Sequence, residues 1–164
     1  MRILGVDPGT YRMGAGVIDA EGDILSLLSS DVLIAGKSIP LQERLHTIYI
    51  QLISVIEQWH PDVLAVEDPF VSRNPRSALA IGQAQAVAFL AASASSVPVA
   101  TYTPRQIKLS VVDYGGATKI QVQEMVAAQL GQHVVSQSLD ATDALATAIC
   151  HANHRHEASL EILE

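Results

Sequence analysis

The sequence has few aromatic residues and a single cysteine. Aromatic residues make up 4% of its 164 residues, while apolar residues make up 49%, so we predict one domain with an aliphatic core. Cys150 has no partner for an internal disulfide, which excludes a disulfide-stapled fold and fits a reducing compartment. No signal-peptide pattern precedes Asp7, and the longest apolar stretch, 84–94, is too short to span a bilayer. We therefore expect a cytoplasmic protein with no membrane partner.

Acidic residues outnumber basic residues, but the two signs are unevenly distributed. The chain has 10 Lys and Arg residues against 17 Asp and Glu residues, and its formal net charge is −7. Such a balance disfavours general binding to nucleic acid. Between residues 69 and 123, however, five bases stand against one acid, whereas the remainder holds five bases and sixteen acids. The middle of the chain could supply a local phosphate-binding patch, although basic loops also occur for solubility alone.

Hydrophobic periodicity and turn residues predict a mixed α/β fold. The chain opens as an antiparallel three-strand meander with strands at 2–7, 15–19 and 24–33. Further strands are predicted at 62–67 and 97–102. Helices are predicted to start near Pro40, Arg76, Thr103 and Thr118. The expected architecture is a mixed sheet, with parallel strands after the meander and helices on both faces.

The C-terminal part of the chain is predicted to form one more helix and a tail. The helix should run from about Leu139 to His154. Residues 1–154 would then form a single domain, and residues 155–164 a flexible tail. His151, His154 and His156 lie close together, but histidines near a terminus are more often solvated than bound to metal. We therefore do not assign a metal site to them.

Four carboxylates border the apolar segments of the chain. Asp7 and Glu67 each end a predicted buried strand, and Asp140 and Asp143 open the last apolar helix. A half-buried carboxylate is costly unless a positive charge lies against it, and α/β sheets place their sites at the carboxyl ends of strands. Four oxygen ligands from three segments suit Mg²⁺ or Mn²⁺. Two such ions about 3.5–4 Å apart could activate water and stabilise the leaving oxygen in phosphodiester cleavage.

The helix pair also has a simpler interpretation. Asp140 and Asp143 share a helix face, and acids in a first turn are favoured by the helix dipole. Considered alone, Asp140 and Asp143 are best interpreted as an N-cap residue and a first-turn acid. Their assignment as metal ligands therefore depends on Asp7 and Glu67. The neighbouring Asp68 should point to the opposite face of the strand and is left out of the site.

Several segments, taken together and in order, resemble the RuvC family of Holliday-junction resolvases. The resemblance covers the chain from residue 1 to about 151. The matching segments are 3–10, 14–18, 66–67 with Phe70, 74–85, 104–108, 111–112, 119–123 and 140–146. The opening Asp7-Pro8-Gly9-Thr10 is unspecific by itself, because actin-like ATPases and sugar kinases begin similarly. The full set in this order is specific.

The resemblance implies a ribonuclease-H-like fold, a homodimer and Mg²⁺-dependent, paired and symmetrical nicking of four-way DNA junctions during recombination and repair. It implies a pair of ions per site, with Mn²⁺ as a substitute, and a branch-migration complex as a further partner. The catalytic metal ligands would be Asp7, Glu67, Asp140 and Asp143. Phe70 would stack on a disrupted base, and Lys108 and Lys119 would hold the backbone near the scissile phosphate. The basic stretch adds Arg73 and Arg76 as candidate DNA contacts.

Each of these roles has an ordinary structural alternative. Phe70 could be a core residue, although Pro69 and the polar residues 72–74 favour a loop. The two lysines could be solvated helix surface, and the apolar run 86–90 could belong either to the core or to a dimer face. Asp68-Pro69 departs from the family pattern, because a proline fixes φ and can change how the aromatic ring is presented.

Two other functions are compatible with parts of the sequence. An actin-like phosphate-transfer module would explain the opening motif, but it needs a second glycine-rich phosphate loop and a larger two-lobed body, neither of which is visible in 164 residues. A non-catalytic junction-binding protein would explain the basic stretch. The presence of all four acids argues against it.

Overall fold

The computed structural model describes residues 1–68, 74–131 and 138–161, with side chains as far as Arg155 within those ranges. Its centre is a five-stranded sheet in the order β3-β2-β1-β4-β5. The strands are β1 (Arg2–Asp7), β2 (Arg12–Glu21), β3 (Ile24–Ile34), β4 (Val63–Glu67) and β5 (Val99–Tyr102). The first three strands pair antiparallel, and β4 and β5 continue the sheet parallel to β1. The predicted meander followed by parallel strands is confirmed.

In the described ranges, five helices cover the two faces of this sheet. They are α1 (Leu41–Trp59), α2 (Pro75–Ala94), α3 (Pro104–Val112), α4 (Lys119–Leu130) and α5 (Leu139–Glu161). Thr103 and Thr118 both cap their helices through reciprocal hydrogen bonds with the glutamine three residues later, which satisfies free backbone donors at each helix start. The predicted starts of α3 and α4 are therefore confirmed.

Strand alternation decides which side chains reach which layer. On β1, Ile3 packs in a core cluster with residues of α3, α4 and α5, whereas Leu4 and Val6 pack with residues of α1 and α2. Because successive side chains point to opposite faces, Asp7 lies on the same face as Ile3. The same alternation on β4 places Glu67 on that face. Both acids at the strand ends therefore face the α3–α5 layer.

Helix α5 packs very closely against β1 and β2 because glycines face it. A Cβ atom at Gly5 would lie 2.0 Å from the carbonyl oxygen of Ala144, and one at Gly14 would lie 1.9 Å from that of Asp140. Any side chain at either position would push the helix backbone away from the sheet. These contacts bring the first turn of α5 beside the ends of β1 and β2.

The C-terminal prediction needs two corrections. Helix α5 continues seven residues past His154 to Glu161, and His151 is not solvated but only 7% exposed. Its ring nitrogen Nδ1 is 2.7 Å from the hydroxyl oxygen of Tyr102, and this hydrogen bond ties the helix to β5. The division into one domain, 1–154, and a flexible tail, 155–164, stays a prediction.

Helix α2 divides the apolar run 86–90 between buried and exposed positions. Val87 and Ala88 are buried in the core, whereas Phe89 and Leu90 are exposed. By length and composition α2 is apolar enough to cross a membrane, but this criterion also selects core helices of soluble proteins. Only 28% of its most apolar 18-residue segment is buried in this chain. The helix therefore has a core face and a second apolar face.

Candidate active site

Asp7 and Glu67 end two neighbouring parallel strands. The register between β1 and β4 pairs Val6 with Val66, so the next residues of the two strands lie side by side. Neighbouring strands are about 4.8 Å apart, and alternation turns both carboxylates toward α5. The sheet thus holds two acids close together at its carboxyl edge, as the sequence predicts.

Asp143 joins this pair from the first turns of α5. Together with Asp7 and Glu67 it lines a cavity of about 310 Å³. Lys108 of α3 and Lys119 of α4 belong to the same wall, which is completed by Pro8, Ile81, Pro104, Ile107, Val122 and Ala146. A larger cavity of about 850 Å³ lies elsewhere, between the β2–β3 turn and helices α3, α4 and α5, and none of the four carboxylates lines it. The chemistry is therefore concentrated in the smaller cavity.

The electrostatics of the smaller cavity show that its carboxylates are crowded. Burial, followed by repulsion from Glu67, Asp143 and Asp140, raises the pKa of Asp7 to about 7. Burial and repulsion from Asp143 also raise the pKa of Glu67, while Lys119 and Lys108 act in the opposite direction. Neighbouring negative charges and a low dielectric both disfavour ionisation. A cation in the cavity would relieve this repulsion.

The two helix acids each have a basic partner. Lys119 Nζ lies 3.0 Å from Asp143 Oδ2, and this contact raises the pKa of the lysine. Asp140 does not line the cavity; its Oδ2 accepts a hydrogen bond of 2.6 Å from Arg12 Nε. Its charge still reaches Asp7. Within the described ranges no three Asp, Glu, His or Cys side chains are already arranged as a metal centre.

The other predicted site residues fall into three groups. Lys108 and Lys119 lie at the cavity, whereas Arg76 is exposed near the start of α2, where its backbone N–H is capped by Asn74 Oδ1. Phe70 and Arg73 lie outside the described residues. Asp68 is exposed and accepts a hydrogen bond from Gln85 Nε2, outside the cavity wall, as its omission from the site anticipates.

Comparison with known proteins decides the family. The family model for crossover junction endodeoxyribonuclease RuvC matches residues 3–151. The chain belongs to the RuvC family. A family member from Dehalococcoides mccartyi is 51% identical over 160 residues, which cover 98% of this chain and 97% of the relative. A member from Chloroflexus aggregans is 46% identical over 152 residues, which cover 93% of each chain. Both are named crossover junction endodeoxyribonuclease RuvC.

The fold of the RuvC family also matches. The structure titled "T. thermophilus RuvC in complex with Holliday junction substrate" superimposes with a TM-score of 0.90 at 31% identity, covering 97% of both chains. The ribonuclease-H-like fold is therefore confirmed, as is the resemblance to the RuvC family.

Sequence reasoning missed Arg12 and the apolar part of the cavity wall. Arg12 stands at the start of β2, where the chain returns beside Asp7, and the pairing of Asp7 with Gly14 indicates how close that return is. The sequence signal for Arg12 was its position in a tight antiparallel return next to the candidate ligand Asp7. The apolar wall, in contrast, comes from helices whose relative placement no local pattern specifies.

Proposed function

We propose that this chain is a Holliday-junction resolvase: an endonuclease that cuts four-way DNA junctions by divalent-metal-dependent phosphodiester hydrolysis. The observation that carries the proposal is the convergence of Asp7, Glu67 and Asp143 on one cavity with two lysines in its wall. Membership of a family named for crossover junction endodeoxyribonuclease activity supports it. The known relatives and this chain cover each other almost completely.

The donor set fits Mg²⁺, with Mn²⁺ as a substitute. Carboxylate oxygens are the ligands these ions prefer, and the raised pKa of Asp7 reflects a concentration of negative charge that a divalent cation would neutralise. Asp7, Glu67, Asp140 and Asp143 would hold a pair of ions. When bound, such ions supply an activated water and stabilisation of the leaving oxygen.

The two cavity lysines would hold the DNA strand against this acidic site. Carboxylates repel a phosphate, so a cation beside them lowers the cost of bringing the backbone close. Lys119 is 71% exposed at its side chain and can reach solvent, whereas Lys108 is half-buried within the wall. Arg76 and Arg73 would extend the contact along the backbone, and Phe70 would stack on an unpaired base.

A homodimer would place two such sites on one junction. Paired, symmetrical cuts require two active sites related by a two-fold axis. Helix α2 offers a suitable surface, which we call the α2 stripe: Leu79, Gly82, Ala86, Phe89 and Leu90. Leu79 and Leu90 are 65% and 62% exposed, and small residues between them allow a second helix to approach closely. We propose that the α2 stripe packs against its copy in the partner subunit.

The cellular setting follows from this chemistry. A resolvase acts on chromosomal junctions, so we place the protein in the cytoplasm of a bacterium, where the buried thiol of Cys150 is compatible with reducing conditions. A branch-migration complex that moves the junction is the further partner we propose.

A junction-cleavage assay tests the proposal. A labelled four-way junction incubated with the protein and Mg²⁺ should give paired nicks at symmetrical positions in opposite strands. Asp7→Asn and Asp140→Asn should abolish cutting while leaving junction binding intact. Asp68→Asn is the matched control, because this acid is adjacent to Glu67 but lies outside the cavity wall; it should cut like the wild type.

Two results would contradict the proposal. Equal cutting of plain duplex DNA would remove the preference for junctions. Metal-independent junction binding without cleavage under any divalent ion would favour the non-catalytic binding protein instead.

A further inference from the structure

Arg12 binds Asp140, the one of the four carboxylates that does not line the cavity. Its Nε lies 2.6 Å from Asp140 Oδ2, across 128 residues of sequence. Such a contact between the start of β2 and the first turn of α5 is not a product of local chain geometry. We therefore relate this contact to the carboxylate site that it borders.

The backbone beneath Arg12 is fixed on several sides. Gly9 approaches it so closely that a Cβ there would lie 2.0 Å from the Arg12 carbonyl oxygen. The carbonyl of Tyr11 accepts a hydrogen bond from Ala35 N, and Arg12 itself pairs with Ile34 of β3. The Arg44 guanidinium stacks 4.0 Å from the centre of the Tyr11 ring. Arg12 therefore extends from a rigid base.

The partner, Asp140, is held just as firmly. Gly14, two residues after Arg12, faces the Asp140 carbonyl without room for a side chain. Ser138 receives the Ala141 backbone N–H at 3.3 Å and so fixes the start of α5. Because both backbones are fixed, the hydrogen bond from the Arg12 guanidinium restricts rotation of the Asp140 carboxylate about its side-chain torsions.

The ion pair contributes little to folding stability as such. Its side chains are 48% and 33% exposed, and solvent screens pairs of this kind. Its value lies in orientation: Oδ2 is bound to Arg12, while Oδ1 accepts no hydrogen bond from any residue in the described part of the chain. One oxygen is held and the other remains available as a ligand.

We propose that Arg12 is a positioning residue for the metal site: it orients Asp140 so that the second carboxylate oxygen is presented to a divalent cation. The proposal rests on the function proposed above. Partners that orient metal-bound carboxylates and histidines usually contribute about 10–100-fold in metal affinity or activity. Arg12 is not a catalytic residue in this proposal, because it acts through Asp140.

The test measures metal binding with and without catalysis. Mn²⁺ binding is followed by calorimetry on the DNA-free protein, and the Mg²⁺ dependence of junction cleavage is followed in parallel. Arg12→Ala should raise both half-saturating concentrations roughly 10-fold or more, with the cleavage rate at saturating Mg²⁺ remaining within a few-fold. Arg12→Lys, which restores a cation and a donor, should recover most of the affinity.

Arg2→Ala is the matched control. Arg2 forms a comparable ion pair with Asp19, with side-chain exposures of 35% and 39%, but at the opposite end of β2. Its loss should move neither metal titration. A general effect of broken ion pairs would move both variants alike, and that result would overturn the positioning role.

The remaining outcomes also discriminate. If wild-type protein binds Mn²⁺ and cleaves junctions while Arg12→Ala has unchanged half-saturating concentrations, the inference about Arg12 is wrong and the proposed function stands. If Arg12→Ala binds metal more tightly, Arg12 competes with the cation instead of orienting its ligand, and the inference is again wrong. A wild-type protein that neither binds Mn²⁺ nor cleaves would overturn the proposed function itself.

Discussion

Replacing Asp7 with Asn should stabilise the metal-free protein at neutral and alkaline pH. The pKa of Asp7 is raised from 3.8 to about 7 in the folded chain, mainly by burial and then by repulsion from Glu67 and Asp143. Because an acid with a raised pKa binds its proton more tightly in the folded state, stability falls as pH rises from about 4 to about 7. Above that pH range the folded wild type carries the full free-energy cost of ionising Asp7. The Asn variant has no group to ionise at this position and so avoids the cost.

The size of the effect follows from the shift. One pKa unit corresponds to about 1.4 kcal/mol, so a shift of roughly three units corresponds to at most about 4 kcal/mol. Part of this cost is repulsion between Asp7 and the other carboxylates, which can change their own protonation in response. We therefore expect the free energy of unfolding to rise by about 2–4 kcal/mol at pH 8. For a chain of this length that corresponds to a rise in Tm of roughly 5 °C or more. Near pH 4 the gain should disappear.

The assay is thermal and urea denaturation between pH 4 and pH 8 in the presence of a chelator, repeated with Mg²⁺. A ligand that binds only the folded state stabilises it, so Mg²⁺ should stabilise the wild type at pH 8 and have much less effect on Asp7→Asn. Asp68→Asn, an exposed neighbour of the site, should behave like the wild type in every condition. A variant less stable than the wild type at pH 8 in chelator, or a gain that persists at pH 4, would refute the reasoning.

Four further substitutions test the framework around the site and the α2 stripe. Gly14→Ala places a Cβ against the Asp140 carbonyl and should cost more than about 2 kcal/mol by urea denaturation. In contrast, Gly36→Ala would meet only the Ile39 side chain at 3.9 Å and should be neutral or stabilising. Tyr102→Phe leaves the buried Nδ1 of His151 without its partner and should cost about 1–2 kcal/mol in the same measurement. Leu90→Glu places a charge on the α2 stripe and should shift sedimentation toward the monomer.

The strand acids and the helix starts could be predicted from local patterns. Apolar runs placed Asp7 and Glu67 at the ends of their predicted strands, and the cap residues Thr103 and Thr118 identified the starts of α3 and α4. These features depend on residues within one or two turns of each other. Local chemistry therefore determines them before any tertiary contact forms.

The contacts of α5 could not be predicted in the same way. Whether Asp140 or Asp143 lines the cavity depends on how the helix is rotated against the sheet, and that rotation is set by glycines on β1 and β2 far away in sequence. The burial of His151 likewise depends on tertiary packing, because its ring is hydrogen-bonded to Tyr102 of β5. A residue near the end of a sequence is solvated only if nothing distant packs on it.

The four carboxylates differ in how far basic side chains already neutralise them. They therefore differ in how much repulsion a bound metal ion would relieve. Asp140 and Asp143 are already neutralised in part by Arg12 and Lys119. In the described ranges no basic side chain makes a hydrogen bond to Asp7 or Glu67, and these two have the raised pKa values. Most of the repulsion that a cation relieves is therefore located at the strand pair. It follows that removing a strand carboxylate should weaken metal binding more than removing Asp140, whose negative charge Arg12 already balances in part.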